Sequence, residues 1–288
     1  MLDASTFQDT DLIALAKDNF INLKIDAESE YGRELFEKFQ GAGYPLVVFL
    51  DHTGLEIDRF YGYLPTYEFM MKMENVISGE NTFTYYLDEY NKNNHTAEIL
   101  KPLADKYKDK GNNDIALDLY KQLIVSSNIS KEDYKIAEYH IASLSLKDNQ
   151  TTYMIAYLKD NQEDNNFENG VYDLTYYYKA NQMQEDELAA YVKYLPLLNQ
   201  SYNFLNSYAW RMSELDKNLE DALNKVDMAL ILIGEEHQAY ANILDTKAEV
   251  LWKIGDIKDA VLTIDKALKI DPDSEYYKSQ KEKFLTSK

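Results

Sequence analysis

Cysteine is absent from the 288 residues. That excludes disulfides, thiolate metal sites and any thiol chemistry by the chain as it stands. Long apolar runs are absent too. Leu46-Val47-Val48-Phe49-Leu50 is among the longest, far short of the ~18 residues a membrane span needs. Positive charge is scarce, with 30 Lys and Arg against 50 Asp and Glu and a net charge of −20. Nucleic acid and anionic membranes both require clustered basic residues, so neither fits as a main partner. The 10 glycines are dispersed and form no phosphate-cradling loop. Against these absences stand 45% apolar residues, enough for a packed core, and 25 tyrosines. The length suits about two domains or one long repeat array.

Two periodicities divide the chain. Residues 1–80 alternate helical and strand patterns. Asp11–Phe20 carries Leu12, Ile13, Leu15, Ala16 and Phe20 on one helical face. Ile21–Ile25 alternates apolar and polar residues, which predicts a short strand. A helix over Gly32–Gln40 is expected to stop at the Gly41-Ala42-Gly43 breaker. Pro45–Leu50 reads as a buried strand, Asp51–Gly54 as a turn and Glu56–Tyr61 as a returning strand. Pro65 then opens a helix to about Ser78.

Residues 81–95 read as a connecting helix, and from 96 to 288 helix-length segments recur in pairs. The first helix of each pair is expected near Thr96, Lys131, Phe167, Ser201 and Gln238. These intervals of roughly 34 to 37 residues approach the ~34-residue tetratricopeptide period. Small residues fall where two helices must nest: Ala248, Ala260 and Ala267, with Gly255 in the turn and Pro272 after the pair. Ala104, Tyr107, Gly111, Ala116 and Tyr120 repeat that phase, and Ala209, Ala222 and Ala229 follow it with a small insertion. The second and third pairs match least well, and Ser274–Leu285 reads as a capping helix. The segment resembles a tetratricopeptide superhelix, in which stacked repeats present a concave surface to protein or peptide partners.

Residues 1–80 resemble the thioredoxin superfamily, in its branch of exported bacterial proteins. The resemblance rests on Thr6-Phe7-Gln8-Asp9, on Asn19-Phe20-Ile21-Asn22-Leu23-Lys24-Ile25-Asp26, and on Gly43-Tyr44-Pro45 leading into Val47-Val48-Phe49-Leu50-Asp51. Gly54 and Phe60-Tyr61-Gly62-Tyr63 close it. It implies a cis Tyr44–Pro45 bond and a substrate-peptide contact at Gly43, Tyr44 and Pro45. It also implies a Cys-x-x-Cys helix, preceded by the central strand of the sheet. Both would precede the residues matching Met1-Leu2-Asp3, so the α/β portion is expected to be incomplete, its central strand missing. Met1 then reads as an internal methionine or a misassigned start, the alternative being natural loss of the redox centre. Three outcomes could relieve the missing strand: closure of the flanking strands, fraying, or strand donation between copies to give a dimer. The resemblance implies a periplasmic or cell-envelope location for the parent protein. Met1-Leu2-Asp3-Ala4 itself shows no signal-peptide pattern.

Other constellations yield little. The four histidines are scattered, with no ligand spacing for a metal. Asp160–Val171 has Asn165 and Val171 where a calcium loop needs Gly and Glu, so it reads as a solvated loop. No cofactor is implied. Tyrosines crowd one stretch, and Tyr172, Tyr176, Tyr191 and Tyr194 are candidates for an aromatic peptide groove, with core packing as the competing account. The net negative charge argues against a Lys/Arg clamp for acidic tails.

Two functions follow from these expectations. The first is a thiol–disulfide oxidoreductase with a helical docking array, redox-inactive here because it has no cysteine. The second is a non-enzymatic interaction scaffold in which the thioredoxin-like portion is purely structural.

Overall fold

A computed structural model describes residues 2–286. The chain separates into two compact units, Met1–Tyr157 and Leu158–Lys288.

The first unit opens with two short 3-10 turns and helix α1 (Thr10–Asn19). Asp9 caps α1, its carboxylate accepting from the N–H groups of Asp11 and Leu12. Helix α2 spans Glu30–Lys38, strands β1 and β2 span Leu46–Leu50 and Glu56–Tyr61, and α3 spans Thr66–Ser78. The Asp51 carboxylate ties the hairpin turn by accepting from Thr53 and from the Leu55 N–H. Gly54, at φ 85°, supplies the left-handed residue that the turn requires. The strands pair antiparallel, with Val47 opposite Phe60 and Phe49 opposite Asp58.

Phe49 and Phe60 of the hairpin share a buried cluster with Leu2, Leu12, Phe69 and Met73. Phe60 and Phe7 both meet Phe69 edge to face, at 5.1 and 5.6 Å between centroids. This cluster joins α1, the sheet and α3.

The strand expected at Ile21–Ile25 does not form. Alternation alone makes no strand; a ladder needs a neighbour to exchange hydrogen bonds, and among the described residues the sheet has two strands. Asn22 instead turns its amide back to the carbonyls of Ala16 and Phe20. Ile21 and Leu23 are left 93% and 79% exposed. The flanking segments therefore do not close on one another, and the multi-stranded sheet implied by the resemblance is not assembled. The helix expected over 32–40 lies two residues earlier, because Ser29 caps it by accepting from the Gly32 N–H.

Helices α4 (Phe83–Asn91), α5 (Ala97–Asp109), α6 (Asn113–Ile124) and α7 (Lys131–Ser145) complete the first unit with most of α8 (Thr151–Asp160). Ala104, Ala116 and Ala137 are fully buried among Leu100, Leu103, Leu119 and Leu123. The α/β portion is bound to these helices by charge. Lys106 on α5 lies 2.5 Å from Asp58 on β2, and Lys110 lies 2.7 Å from Glu56. Burial draws the Lys106 ammonium below its ordinary pKa, although Asp58 opposes the shift. Replacing Lys106 by methionine should leave the Asp58 carboxylate buried and unpaired, weakening the hairpin by about 3 kcal/mol. Faster amide exchange at Val47 and Phe49 would register this, and unchanged exchange would refute it.

The second unit holds α9 (Phe167–Ala180), α10 (Gln184–Tyr194), α11 (Tyr202–Leu215), α12 (Leu219–Ile233), α13 (Tyr240–Ile254), α14 (Ile257–Ile270) and α15 (Glu275–Thr286). Consecutive helices α9/α10, α11/α12 and α13/α14 pack as hairpins. Ala209, Ala222, Ala229, Ala248, Ala260 and Ala267 are all fully buried; larger side chains at these contacts would hold the helices apart. Gly255 ends α13 at φ 97°. Helix α15 caps the unit. Its Tyr276 hydroxyl donates to Asp245, and its Lys283 ammonium pairs with Glu249 at 2.6 Å. No described helix is long and apolar enough to cross a membrane.

Candidate functional site

Helices α9, α10 and α11 line an open cleft of about 540 Å³. Tyr172 and Tyr176, one turn apart on α9, share its wall with Asn206 and Trp210, one turn apart on α11. A spacing of four residues puts each pair on a single helix face. Tyr191 of α10 and Thr175 of α9 also line it.

Hydrogen bonds at the helix ends hold these elements in place. Ser201 caps α11 by accepting from the Phe204 N–H, and its own hydroxyl donates to Glu168 of α9 at 2.5 Å. Behind the cleft, the Phe204 ring meets Tyr172 at 5.6 Å and Tyr191 at 5.7 Å, and Tyr191 meets Tyr208 at 5.6 Å. Burial pushes the Tyr191 phenol up to about 12 and raises that of Tyr172 as well. Both therefore stay neutral and act as hydrogen-bonding walls.

The charged side of the cleft is internally paired. Arg211 donates from Nε and Nη2 to the Glu187 carboxylate at 2.7 and 2.9 Å, and from Nη1 to Glu214 at 2.9 Å. Lys179 reaches Glu214 at 2.9 Å, and the Trp210 indole N–H donates to the same carboxylate at 3.2 Å. Burial works against the Glu214 charge, but hydrogen bonds from Lys179 and Arg211 prevail and hold its pKa below the ordinary value. Neither cation is free to clamp an anion. By contrast, the buried Asn206 Oδ1 has no hydrogen-bond partner. Asn206 lines the cleft, but its Oδ1 is sealed from solvent, so a ligand N–H donor would meet this acceptor only after the side chain turns outward.

The four tyrosines singled out by sequence are thus divided. Tyr172, Tyr176 and Tyr191 come together in the cleft, with Tyr176 largely exposed and Tyr191 buried as its floor. Tyr194 lies outside it, 2% exposed, its ring 6.0 Å from Phe167 in the core. Sequence reasoning missed Asn206, Trp210 and Arg211. The four-residue spacing of Asn206 and Trp210, matching that of Tyr172 and Tyr176, was the available signal.

Gly43, Tyr44 and Pro45 belong to the first unit and are not among the residues that line the cleft. The Tyr44–Pro45 peptide bond is cis. The Tyr44 ring is exposed on one side and stacks on Phe36 at 4.5 Å on the other, while the Pro45 carbonyl accepts from the Gly62 N–H. A larger cavity of about 880 Å³ lies against α12, α13 and α14, lined by Leu223, Leu251 and Leu262 and by the Asp227–Lys247 ion pair. Among the described residues no group of His, Asp and Glu is arranged to hold a metal ion.

No family model matches the chain, and no curated protein matches it in sequence. Solved structures do resemble it. One is YrrB, described as a TPR protein with an unusual peptide-binding site. It is 13% identical, over 68% of this chain and 97% of that one, with a TM-score of 0.46. Another is TTC0263, described as a thermophilic TPR protein in Thermus thermophilus. It is 17% identical, over 67% of this chain and all of the other, with a TM-score of 0.39. Both neighbours are tetratricopeptide (TPR) proteins. At these scores neither assigns a family to this chain.

Proposed function

We propose that the chain is a non-enzymatic interaction scaffold of tetratricopeptide type, and that the cleft of α9, α10 and α11 binds an extended peptide segment of a partner protein. The observation that carries this reading is the aromatic lining of Tyr172, Tyr176, Tyr191 and Trp210, with the Asn206 amide among them. A peptide offers an N–H donor at every non-proline residue and side chains that can lie on aromatic faces. Ordered aromatics contribute contact area at small entropic cost, which is why they recur at binding hot spots. Without cysteine, the thiol–disulfide oxidoreductase reading has no nucleophile in this chain. The α/β portion is then a structural module; its thioredoxin-like reading rests on the sequence resemblance of residues 1–80, and its α1, hairpin and α3 share one phenylalanine-rich core.

Selection of a random peptide library on the purified chain tests the proposal. Recovered peptides should bind the native chain, and Trp210→Ala and Asn206→Ala should each weaken binding about tenfold or more, as loss of a hot-spot contact does. Peptides whose affinity is indifferent to both substitutions would refute the cleft as the binding site.

A further inference from the structure

The backbone of β1 has one satisfied edge and one open edge. The Gly62 N–H donates to the Pro45 carbonyl, and Val47 and Phe49 lie opposite Phe60 and Asp58. In an antiparallel pair the hydrogen-bonded positions alternate, so Pro45, Val47 and Phe49 face β2. Leu46, Val48 and Leu50 therefore direct their N–H and C=O groups to the other side. Among the described residues no hydrogen bond reaches those groups.

The two edges of the hairpin are guarded differently. Helices α4 and α5 lie against β2, where Lys106 and Lys110 pair with Asp58 and Glu56. On β1 the run Leu46-Val47-Val48-Phe49-Leu50 carries no charge and no proline, and the bulge in the ladder places its extra residue, Ile57, on β2. These are the devices that ordinarily discourage edge-to-edge pairing, and β1 lacks them.

The open edge is also self-complementary. If two copies of β1 run antiparallel about a two-fold axis at Val48, Val48 faces Val48 and Leu46 faces Leu50 in both directions. Leu46, Val48 and Leu50, which form the hydrogen-bonded pairs of this register, have their free backbone groups on the shared side, and Val47 falls opposite Phe49 as a non-hydrogen-bonded pair. The ladder closes with both bonds made at each hydrogen-bonded pair, and an isologous contact of this kind closes as a dimer. Leucine meets leucine and valine meets valine, while the nearest acid, Asp51, falls opposite Pro45 of the second copy. Like charges are thus not apposed, even though each chain carries a net charge of −20.

We propose that the outer edge of β1 is a self-association site, at which a second copy of this chain pairs through Leu46, Val48 and Leu50. The two hairpins then form one four-stranded sheet with β1 against β1 at its centre. This site is independent of the peptide cleft in the second unit.

Sedimentation equilibrium of the whole chain, at physiological salt to screen the net charge, is the test. The 33.5 kDa mass should double as concentration rises toward about 1 mM. Amides of Leu46, Val48 and Leu50 should gain hydrogen-exchange protection in step with that rise, while those of Val47 and Phe49 are protected throughout. Val48→Pro removes a single outward N–H, and proline is tolerated on an edge strand where that group faces solvent. Val48→Lys places a charge at the two-fold axis instead. Both should weaken the dimer at least tenfold with the Val47 and Phe49 amides still protected, which shows the hairpin intact. The proposal fails if the chain stays monomeric across the range, or if a dimer forms in which Leu46, Val48 and Leu50 exchange freely. It fails equally if both Val48 variants dimerise like the native chain. Concentration-independent protection of the three amides in a monomer would also overturn it, because another segment would then cover the edge.

Discussion

Arg211→Leu will destabilise the second unit by about 3 kcal/mol, the usual cost of leaving a buried charge uncompensated. Glu187 is 1% exposed, and its two carboxylate oxygens are met by the forked guanidinium of Arg211. The Glu187 hydrogen bonds are the main reason that the Arg211 pKa stands above its ordinary value. Removing the arginine strands the carboxylate away from water. Removing both charges together, in Glu187→Leu/Arg211→Leu, should restore most of the loss, since a well-packed apolar pair is often as stable as a buried ion pair. Arg211→Lys should fall between, because an ammonium cannot reproduce the two-pronged contact. Urea unfolding of the three variants measures these effects. A single-variant cost below about 1 kcal/mol, or a double variant no more stable than the single one, would show that the pair is not the link between α10 and α11 described here.

This pair also shows where sequence reading ended. Glu187 and Arg211 are 24 residues apart on different helices, and 50 acids and 30 bases offer far too many pairings to choose among. Only the packing of α10 on α11 selects this one. The helix pairs were legible for the opposite reason. A repeat writes the same packing constraint several times, so alanine at the close contacts and helix starts at regular intervals reinforce one another. First helices expected near Thr96, Lys131, Phe167, Ser201 and Gln238 begin at Ala97, Lys131, Phe167, Tyr202 and Tyr240. Of the two pairs that matched least well, α7 and α8 do not lie closely along each other, whereas α9 and α10 pack as a hairpin.

The α/β portion was read less well because strands depend on partners outside their own sequence. Ile21–Ile25 has the alternation of a half-buried strand, yet among the described residues no strand pairs with it to complete a ladder. The tyrosines posed a third kind of problem. Composition showed that aromatics crowd residues 172–202, but only burial separated Tyr176, exposed in the cleft, from Tyr194, sealed against Phe167. A residue type on a helix is compatible with either fate. What sorts them is which face turns inward, and insertions between repeats blur that phase.

Stability of the first unit will fall as pH drops from about 6.5 toward about 4, and His140 will account for most of the loss above pH 5. Burial, chiefly, and then the neighbouring Lys108 lower the imidazole pKa from its ordinary 6.5 to about 4. The ring stacks on Tyr120 at 4.8 Å and lies 5.1 Å from Tyr139. Its Nε2 is 3.3 Å from the Lys108 ammonium, from which the neutral ring accepts a hydrogen bond. Lys101 adds to the depression and Asp105 opposes it. The unfolded chain takes up a proton near pH 6.5, whereas the folded chain resists it to about pH 4. Between those values the unfolded state binds more protons, so the contribution is whole above 6.5 and is lost as pH falls through the window. At ~1.4 kcal/mol per pH unit, and with the ring partly solvated, the loss amounts to about 2–3 kcal/mol. Asp109 acts with the opposite sign, since burial raises its pKa and protonating it favours the fold. Glu56, held low by Arg59 and Lys110 against its own burial, adds its loss only around and below its ordinary 4.5. His140→Gln keeps a side-chain acceptor for Lys108 without the titration. Exchange protection of α5, α6 and α7 amides should therefore decline between pH 6.5 and 5 in the native chain and stay flat in the variant. Equal slopes in the two would show that His140 is not the titrating group.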